Sequence, residues 1–253
     1  MKIGFYGNNT GRQSLAKLFV KNNIKIDAVF SDSVQYLVET AVTLNAKAIF
    51  DFTEFANKCD VIIVSVGDDT MRKAMLKLSK HDLSGKLICA DSVSAVCDAF
   101  DDIGADAVVT GFVPNGRHIY IEGKGKGYGE FRRFLTGNGI DIKEISPKDK
   151  ASLDLAMFYA ESGIATVIGI ARELMVDAEN FDDIIRANVE NALLQNGKST
   201  IVDRFDIGAV RRYNETARGN NLAVYQTLVL KALETADLSQ DEKDRIKSII
   251  IGR

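Results

Sequence analysis

The sequence predicts an α/β chain in which a doubly wound, mainly parallel sheet over residues 1–147 precedes an all-helical domain over 148–253. Three observations carry this. The chain opens on a short apolar segment, a glycine-containing turn and the start of a helix, the entry of a βαβ unit. Strand-length apolar runs then alternate with helix-period segments as far as Val113. Beyond Pro147 there is no further proline, and apolar residues follow helical spacing almost to the end.

Each element follows from its own pattern. Lys2 to Tyr6 reads as the first strand, and Leu15, Leu18, Phe19 and Ile24 mark the helix behind it. Ile26 to Phe30 is a second strand, Val34 to Leu44 a helix, and Ala46 to Phe50 a short third strand. Val61 to Val66 is a nearly continuous β-branched run, as found in parallel strands buried on both faces. A helix over Asp69 to Lys80 leads to strands at Lys86 to Ala90 and Ala105 to Val113, which complete the expected sheet. Gly123 to Gly129 carries glycine at every second position and lacks the Lys-Ser/Thr of a phosphate loop, so it reads as a flexible turn before a Glu130 to Leu135 helix. Further helices are expected at Leu153 to Met175, Phe181 to Leu194, Ser199 to Thr216, Asn221 to Ala236 and Gln240 to Ile250. The Leu153 to Met175 helix is apolar on several sides, which points to burial, preferably in a subunit interface.

Composition narrows the function classes. At 253 residues and 46% hydrophobic content the chain has material for two cores. A formal net charge of -3 supplies no basic field for nucleic acid, so a small-molecule substrate is the expected partner. No apolar run approaches the roughly 18 residues of a membrane span, so no membrane partner and a cytoplasmic location are expected. Cys59, Cys89 and Cys97 form no C-x-x-C pair and read as reduced core residues. His81 and His118 lie far apart, so no metal site is expected.

The chemistry is expected at the carboxyl ends of the parallel strands, where ligands of such sheets bind. The turn after the first strand, Gly7-Asn8-Asn9-Thr10-Gly11-Arg12, is an altered G-x-G-x-x-G dinucleotide fingerprint. Gly7 fits its first glycine, Asn9 replaces the second, and the third is either Gly11, one place early, or is replaced by Arg12. Asn8, Asn9 and Thr10 still suit a helix cap that presents backbone amides to an anion. Ser31 and Asp32 follow the second strand. Asp32 there favours NAD over NADP, because a carboxylate accepts hydrogen bonds from the ribose hydroxyls, or else it caps the next helix. Val66, Gly67, Asp68 and Ser92 complete the candidate cofactor set.

In the second domain, Lys150, Asp154, Glu161 and Tyr159 fall at three-to-four-residue spacings. Such a polar face suits a proton donor beside a nicotinamide, and Lys150, Asp154 and Tyr159 are the catalytic candidates. A surface ion pair between Lys150 and Asp154 is the bland alternative.

The whole chain resembles the superfamily in which a Rossmann domain precedes a helical domain like the C-terminal part of 6-phosphogluconate dehydrogenase, with pyrroline-5-carboxylate reductases nearest. The resemblance rests on Ile3-Gly-Phe-Tyr-Gly, Asp60-Val-Ile-Ile-Val-Ser-Val-Gly-Asp-Asp, Val113-Pro-Asn, Ser162-Gly163 and Thr216-Ala-Arg-Gly-Asn-Asn-Leu-Ala-Val. It implies an NAD(P)-dependent oxidoreductase that reduces a C=O or C=N bond and dimerises through its helical domain. Asp154 also resembles the aspartate that imine reductases of the wider superfamily place near substrate. Asp206 to Glu215 lacks the glycine- and threonine-containing run of the pyrroline-5-carboxylate reductases, so proline synthesis is not implied. The competing expectation is a non-catalytic Rossmann scaffold whose altered loop serves another ligand or a protein partner.

Overall fold

The computed structural model describes residues 1–7, 15–92, 97–112, 118–175, 179–198 and 200–252. The chain divides into two compact units, Met1–Ala160 and Glu161–Arg253.

The first unit holds strands β1 (Ile3–Gly7), β2 (Ala28–Phe30), β3 (Lys47–Ala48), β4 (Val61–Ser65), β5 (Leu87–Asp91), β6 (Ala107–Phe112), β7 (His118–Gly125) and β8 (Asp141–Glu144). Its helices are α1 (Leu15–Lys21), α2 (Val34–Thr43), α3 (Phe52–Lys58), α4 (Asp68–Leu78), α5 (Tyr128–Gly137) and α6 (Pro147–Phe158), with a 3-10 segment at Cys97–Ile103. The strands form one sheet of order β3-β2-β1-β4-β5-β6-β7-β8. All neighbours pair in parallel except β6 with β7, which are antiparallel.

Both faces of the sheet are buried, and the alternation of side chains along a strand sorts residues between them. Ile3, Phe5, Val61, Ile63, Leu87 and Cys89 share one core with α1, α2 and α5. Tyr6, Ile62, Val64, Ile88 and Ala90 share the other with α3, α4 and the 3-10 segment. This explains why Val61 to Val64 is apolar without alternation: each residue meets a core. The three cysteines are free and buried, as their sequence context suggested.

The sheet is larger than the sequence indicated. Gly123 to Gly129 is not a flexible turn: its first part ends β7, which pairs along β6 from Tyr120 to Gly125. Gly125 has φ +95°, and a Cβ there would meet the Asp106 carbonyl oxygen at 2.3 Å, so this glycine serves a close strand approach.

The second unit holds α7 (Ile164–Leu174), α8 (Phe181–Leu194), α9 (Thr200–Asp203), α10 (Ile207–Thr216), α11 (Gly219–Thr235) and α12 (Gln240–Ile251). Val202, Val210, Val229, Leu233, Ile246 and Ile250 form its core. The single helix expected over Ser199 to Thr216 is broken. Phe205 takes φ +53°, and the Asp206 side chain then caps α10 by accepting from the Ala209 N–H at 2.9 Å.

The long helix expected from Leu153 is interrupted by a π-helical turn, Tyr159–Gly163, between α6 and α7. In the single chain it leaves Leu155, Phe158, Ile164 and Leu174 exposed. The helical run Pro147–Leu174 spans 28 residues and contains an 18-residue window of mean hydropathy 1.4, so by length and composition it is sufficient to cross a bilayer. The expectation that nothing approached such a span counted only unbroken apolar runs, whereas an averaged window tolerates isolated charges.

Candidate functional site

The carboxyl ends of β1, β2 and β4 open into a cavity of about 340 Å³, whose other wall is α4. Gly7, Ser31, Asp32 and Val66, all anticipated as cofactor contacts, line it together. Gly67 is the N-cap of α4, which the chain enters directly from the rim. Ser92 is buried just beyond β5 and donates its N–H to the Gly111 carbonyl at 3.1 Å; it is not among the cavity's described lining. Asn8, Asn9, Thr10, Gly11 and Arg12 lie outside the described residues, as does the side chain of Asp68.

Gly7 is dictated by backbone geometry. Its φ is +138°, and an added Cβ would stand 2.0 Å from the Ser65 carbonyl oxygen. No other residue fits where the ends of β1 and β4 converge.

Asp32 is held from two sides. Its Oδ2 accepts from the Tyr6 hydroxyl at 2.7 Å, and its Oδ1 pairs with the Lys77 ammonium of α4. Burial alone would raise the Asp32 pKa, but the hydrogen bonds from Lys77 and Tyr6 outweigh it and hold the carboxyl below its ordinary value. The Tyr6 hydroxyl is pushed well above its ordinary value, first by burial and then by the bond to Asp32. The alternative role as a helix cap does not apply, since Ser33 occupies the N-cap of α2 and makes no side-chain cap bond.

Lys77 is itself fixed. Its ammonium lies 4.5 Å from the Phe30 ring centroid and 4.7 Å from that of Phe52, a cation over aromatic faces.

Behind this rim lies a second aspartate. Asp91 ends β5 and is buried; its Oδ2 accepts from the Ser65 hydroxyl at 2.7 Å and from the Leu15 N–H of α1 at 3.2 Å. Burial pushes its carboxyl up to about 7 against the opposing pull of those two bonds.

The catalytic candidates meet different surroundings. Lys150 is 1% exposed and donates to the Thr110 hydroxyl of β6 at 2.7 Å, so it is no surface residue. Thr110 donates to Glu122 of β7 at 3.4 Å, and the other Glu122 carboxylate oxygen accepts from the Cys97 N–H at 3.1 Å. This burial ties the first turn of α6 to the sheet, within the compact unit Met1–Ala160. Asp154 is half-buried one turn later, whereas Tyr159 is 63% exposed. Glu161 lies within the π turn, where the 3.6-residue period that aligned it with the others no longer applies. Among the described residues no cluster of metal-ligating side chains occurs.

No protein-family model and no curated protein matches the sequence. Solved structures do match along nearly the whole chain. A Bacteroides fragilis protein provisionally classed as an NADP oxidoreductase aligns at TM-score 0.71 and 16% identity, over 92% of this chain and 98% of its own. Plasmodium falciparum pyrroline carboxylate reductase with NADP bound aligns at 0.58 and 18% identity, over 98% of each chain. The Aspergillus terreus reductive aminase in complex with NADPH aligns at 0.58 and 14% identity, over 99% of this chain and 92% of its own.

This chain has their fold. The parallel sheet and the helical second part expected from the sequence are the fold that these solved structures share. Within that fold, sequence reasoning missed Tyr6, Tyr36, Lys73 and Lys77 in the cavity. A usable signal existed for the two lysines: four residues apart on α4, they share one helix face directly behind the fourth strand's carboxyl end. For Thr110 and Glu122 nothing local distinguishes the residue, because each is placed by its partner on the neighbouring strand.

Proposed function

We propose that the protein is an NAD(P)-dependent oxidoreductase that reduces a C=O or C=N bond of a small metabolite. One observation carries the reading: Gly7, Ser31, Asp32 and Val66 converge on one cavity at the carboxyl edge of the sheet, where dinucleotides bind such folds. The cavity's make-up fits an adenosine, with an aromatic ring in Tyr36, apolar walls in Val66 and Ala74, and polar groups at Ser31 and Asp32. The bound cofactor would supply a hydride. Proton supply falls to the start of α6, where Lys150 is oriented by Thr110 and Asp154 follows one turn later. Tyr159 is the outlying member of that set. Exposed Leu174, Leu193 and Leu194 on α7 and α8 support pairing of two copies through the helical part. The reading takes the protein as a cytoplasmic homodimer that acts on a small molecule, with neither nucleic acid nor membrane as partner.

Calorimetry with NADPH and NADH tests it. Binding in the micromolar range is expected, and no heat from either at millimolar concentration removes the reductase reading.

A non-catalytic scaffold is the second reading, favoured by Asn9 at the second glycine position and by the fact that Ser65 alone accounts for Gly7. Replacing Asn9 by Gly separates the two: cofactor affinity shifts if the loop holds a pyrophosphate and stays unchanged in a scaffold.

A further inference from the structure

Of the three proton-supply candidates, Lys150 alone is enclosed. Its side chain leaves the first turn of α6 and is 1% exposed. The amine donates to the Thr110 hydroxyl at 2.7 Å. A threonine hydroxyl carries a single proton, and with its oxygen accepting from Lys150, Thr110 directs that proton to the Glu122 carboxylate at 3.4 Å. One hydroxyl therefore stands between a buried amine and a carboxylate.

The sheet fixes this geometry. Thr110 and Glu122 are direct partners in the antiparallel ladder of β6 and β7, so their side chains share one face. Thr110 is β-branched and fully buried, which leaves it little rotational freedom. The second Glu122 oxygen accepts from the Cys97 N–H at 3.1 Å, so both ends of the carboxylate are engaged. Thr110 also pairs in register with Ala90, one residue before Asp91 closes β5. The amine thus meets the sheet toward its carboxyl edge, where ligands of such folds bind.

Burial by itself favours the neutral form of a lysine, whereas a carboxylate within about 4–6 Å favours the ammonium. The other titratable groups around the amine, among the described residues, come from β5, the 3-10 segment and α6 itself. Cys89 and Cys97 carry thiols that burial pushes up, so both are uncharged at neutral pH. Asp149 accepts from the Ser146 hydroxyl at 2.6 Å, and Asp154 is half-buried one turn beyond Lys150. Glu122 is the carboxylate that hydrogen bonding connects to the amine.

We propose, on the oxidoreductase reading above, that Thr110 and Glu122 are positioning residues for Lys150: the carboxylate, acting through the hydroxyl, keeps the buried amine protonated and in place against β6, so that Lys150 enters the reaction as the charged proton donor. On donation one ammonium N–H bond breaks and its electron pair stays on nitrogen. The proton passes to the oxygen or nitrogen left negative when the C=O or C=N carbon takes a hydride from the nicotinamide cofactor, and water returns a proton to the amine afterwards.

NMR titration of the side-chain amines in the full chain, with isotope-labelled lysine, tests this without a substrate. The Lys150 signal is the one lost in Lys150→Met or Lys150→Arg. In the wild type Lys150 is expected to be protonated at about pH 7. Glu122→Gln and Thr110→Val each lower its proton affinity about tenfold, whereas Thr110→Ser keeps it within about twofold of wild type, a rescue that a purely packing role would not give. The two Thr110 variants carry the test if Glu122→Gln does not fold. A neutral Lys150 in the wild type at that pH, a proton affinity unmoved by Glu122→Gln and Thr110→Val, or a larger fall in Asp154→Asn than in Glu122→Gln overturns the proposal. Calorimetry with NADPH and NADH on the same samples separates the two levels of inference. Cofactor binding with an unmoved lysine overturns the positioning role and leaves the reductase reading standing. The expected lysine shifts with no binding of either cofactor remove the reductase reading, and the donor role with it, while the hold of Thr110 and Glu122 on the amine stands.

Discussion

Asp32 and Asp91 both stand at the carboxyl edge of one sheet, yet their surroundings push them in opposite directions. Asp32, with a side chain 63% exposed, has two donors including an ammonium and stays below the ordinary carboxylate value. Asp91 is buried with two neutral donors and is pushed up to about 7. Burial decides the difference: at Asp91 desolvation outweighs the two hydrogen bonds, whereas at the more exposed Asp32 the bonds from Lys77 and Tyr6 outweigh it. Asp32 belongs to an exposed charge pair at the cavity, whereas Asp91 joins β5 to Ser65 of β4 and to the first residue of α1.

The sharpest way to break this arrangement is Gly7→Ala, since Gly7 sits where rim and inner layer meet. The added methyl collides with the Ser65 backbone at an unfavourable φ, and a loss of about 3 kcal/mol or more is expected in urea unfolding. An effect below about 1 kcal/mol would mean that β1 and β4 separate easily.

Asp91→Asn comes next. A carboxyl whose folded pKa is raised binds a proton that the unfolded chain has already released, so stability falls as pH rises from about 4 to about 7. The asparagine variant lacks that slope and is expected to gain on wild type across this window, by on the order of 2 kcal/mol at neutral pH. Thermal unfolding of both proteins from pH 4 to 8 checks it, and parallel curves would refute the buried-acid account.

Lys77→Met acts on the rim with the opposite sign. The stabilisation from a lowered carboxyl is complete above the ordinary Asp value and lost on acidification below it. Because Asp32 is exposed, removal of its partner is expected to cost only about 0.5 kcal/mol at pH 7, with the Asp32 carboxyl shifting upward by NMR titration. The smallest effect is that of salt: about 0.5 M should erase most of the Lys77 contribution while leaving the Asp91 slope in place.

Much of the sheet was legible from pattern because burial leaves a periodic trace. Strands β1 to β6 and the helices α8 and α12 lie close to their expected ranges, and Val61 to Val64 meets a core on each face as its composition demanded. β7 was hidden by its glycines, which resemble a loop until β6 is seen alongside. The break at Phe205 was hidden because a left-handed residue amid helical periodicity leaves no compositional mark. Four of the candidates named from strand ends line one cavity, whereas Lys150 was offered a surface partner four residues away and instead met Thr110, 40 residues distant.

What the sequence by itself determined is the succession of elements and the edge at which chemistry can occur, since both follow from local periodicity and from the direction of parallel strands. The tertiary structure decided which charges meet. Lys77 and Asp32 are 45 residues apart, and only the packing of α4 beside β1 and β2 turns a lone ribose-type carboxylate into half of an ion pair. Electrostatic meaning depends on distance in space, and linear order does not encode it.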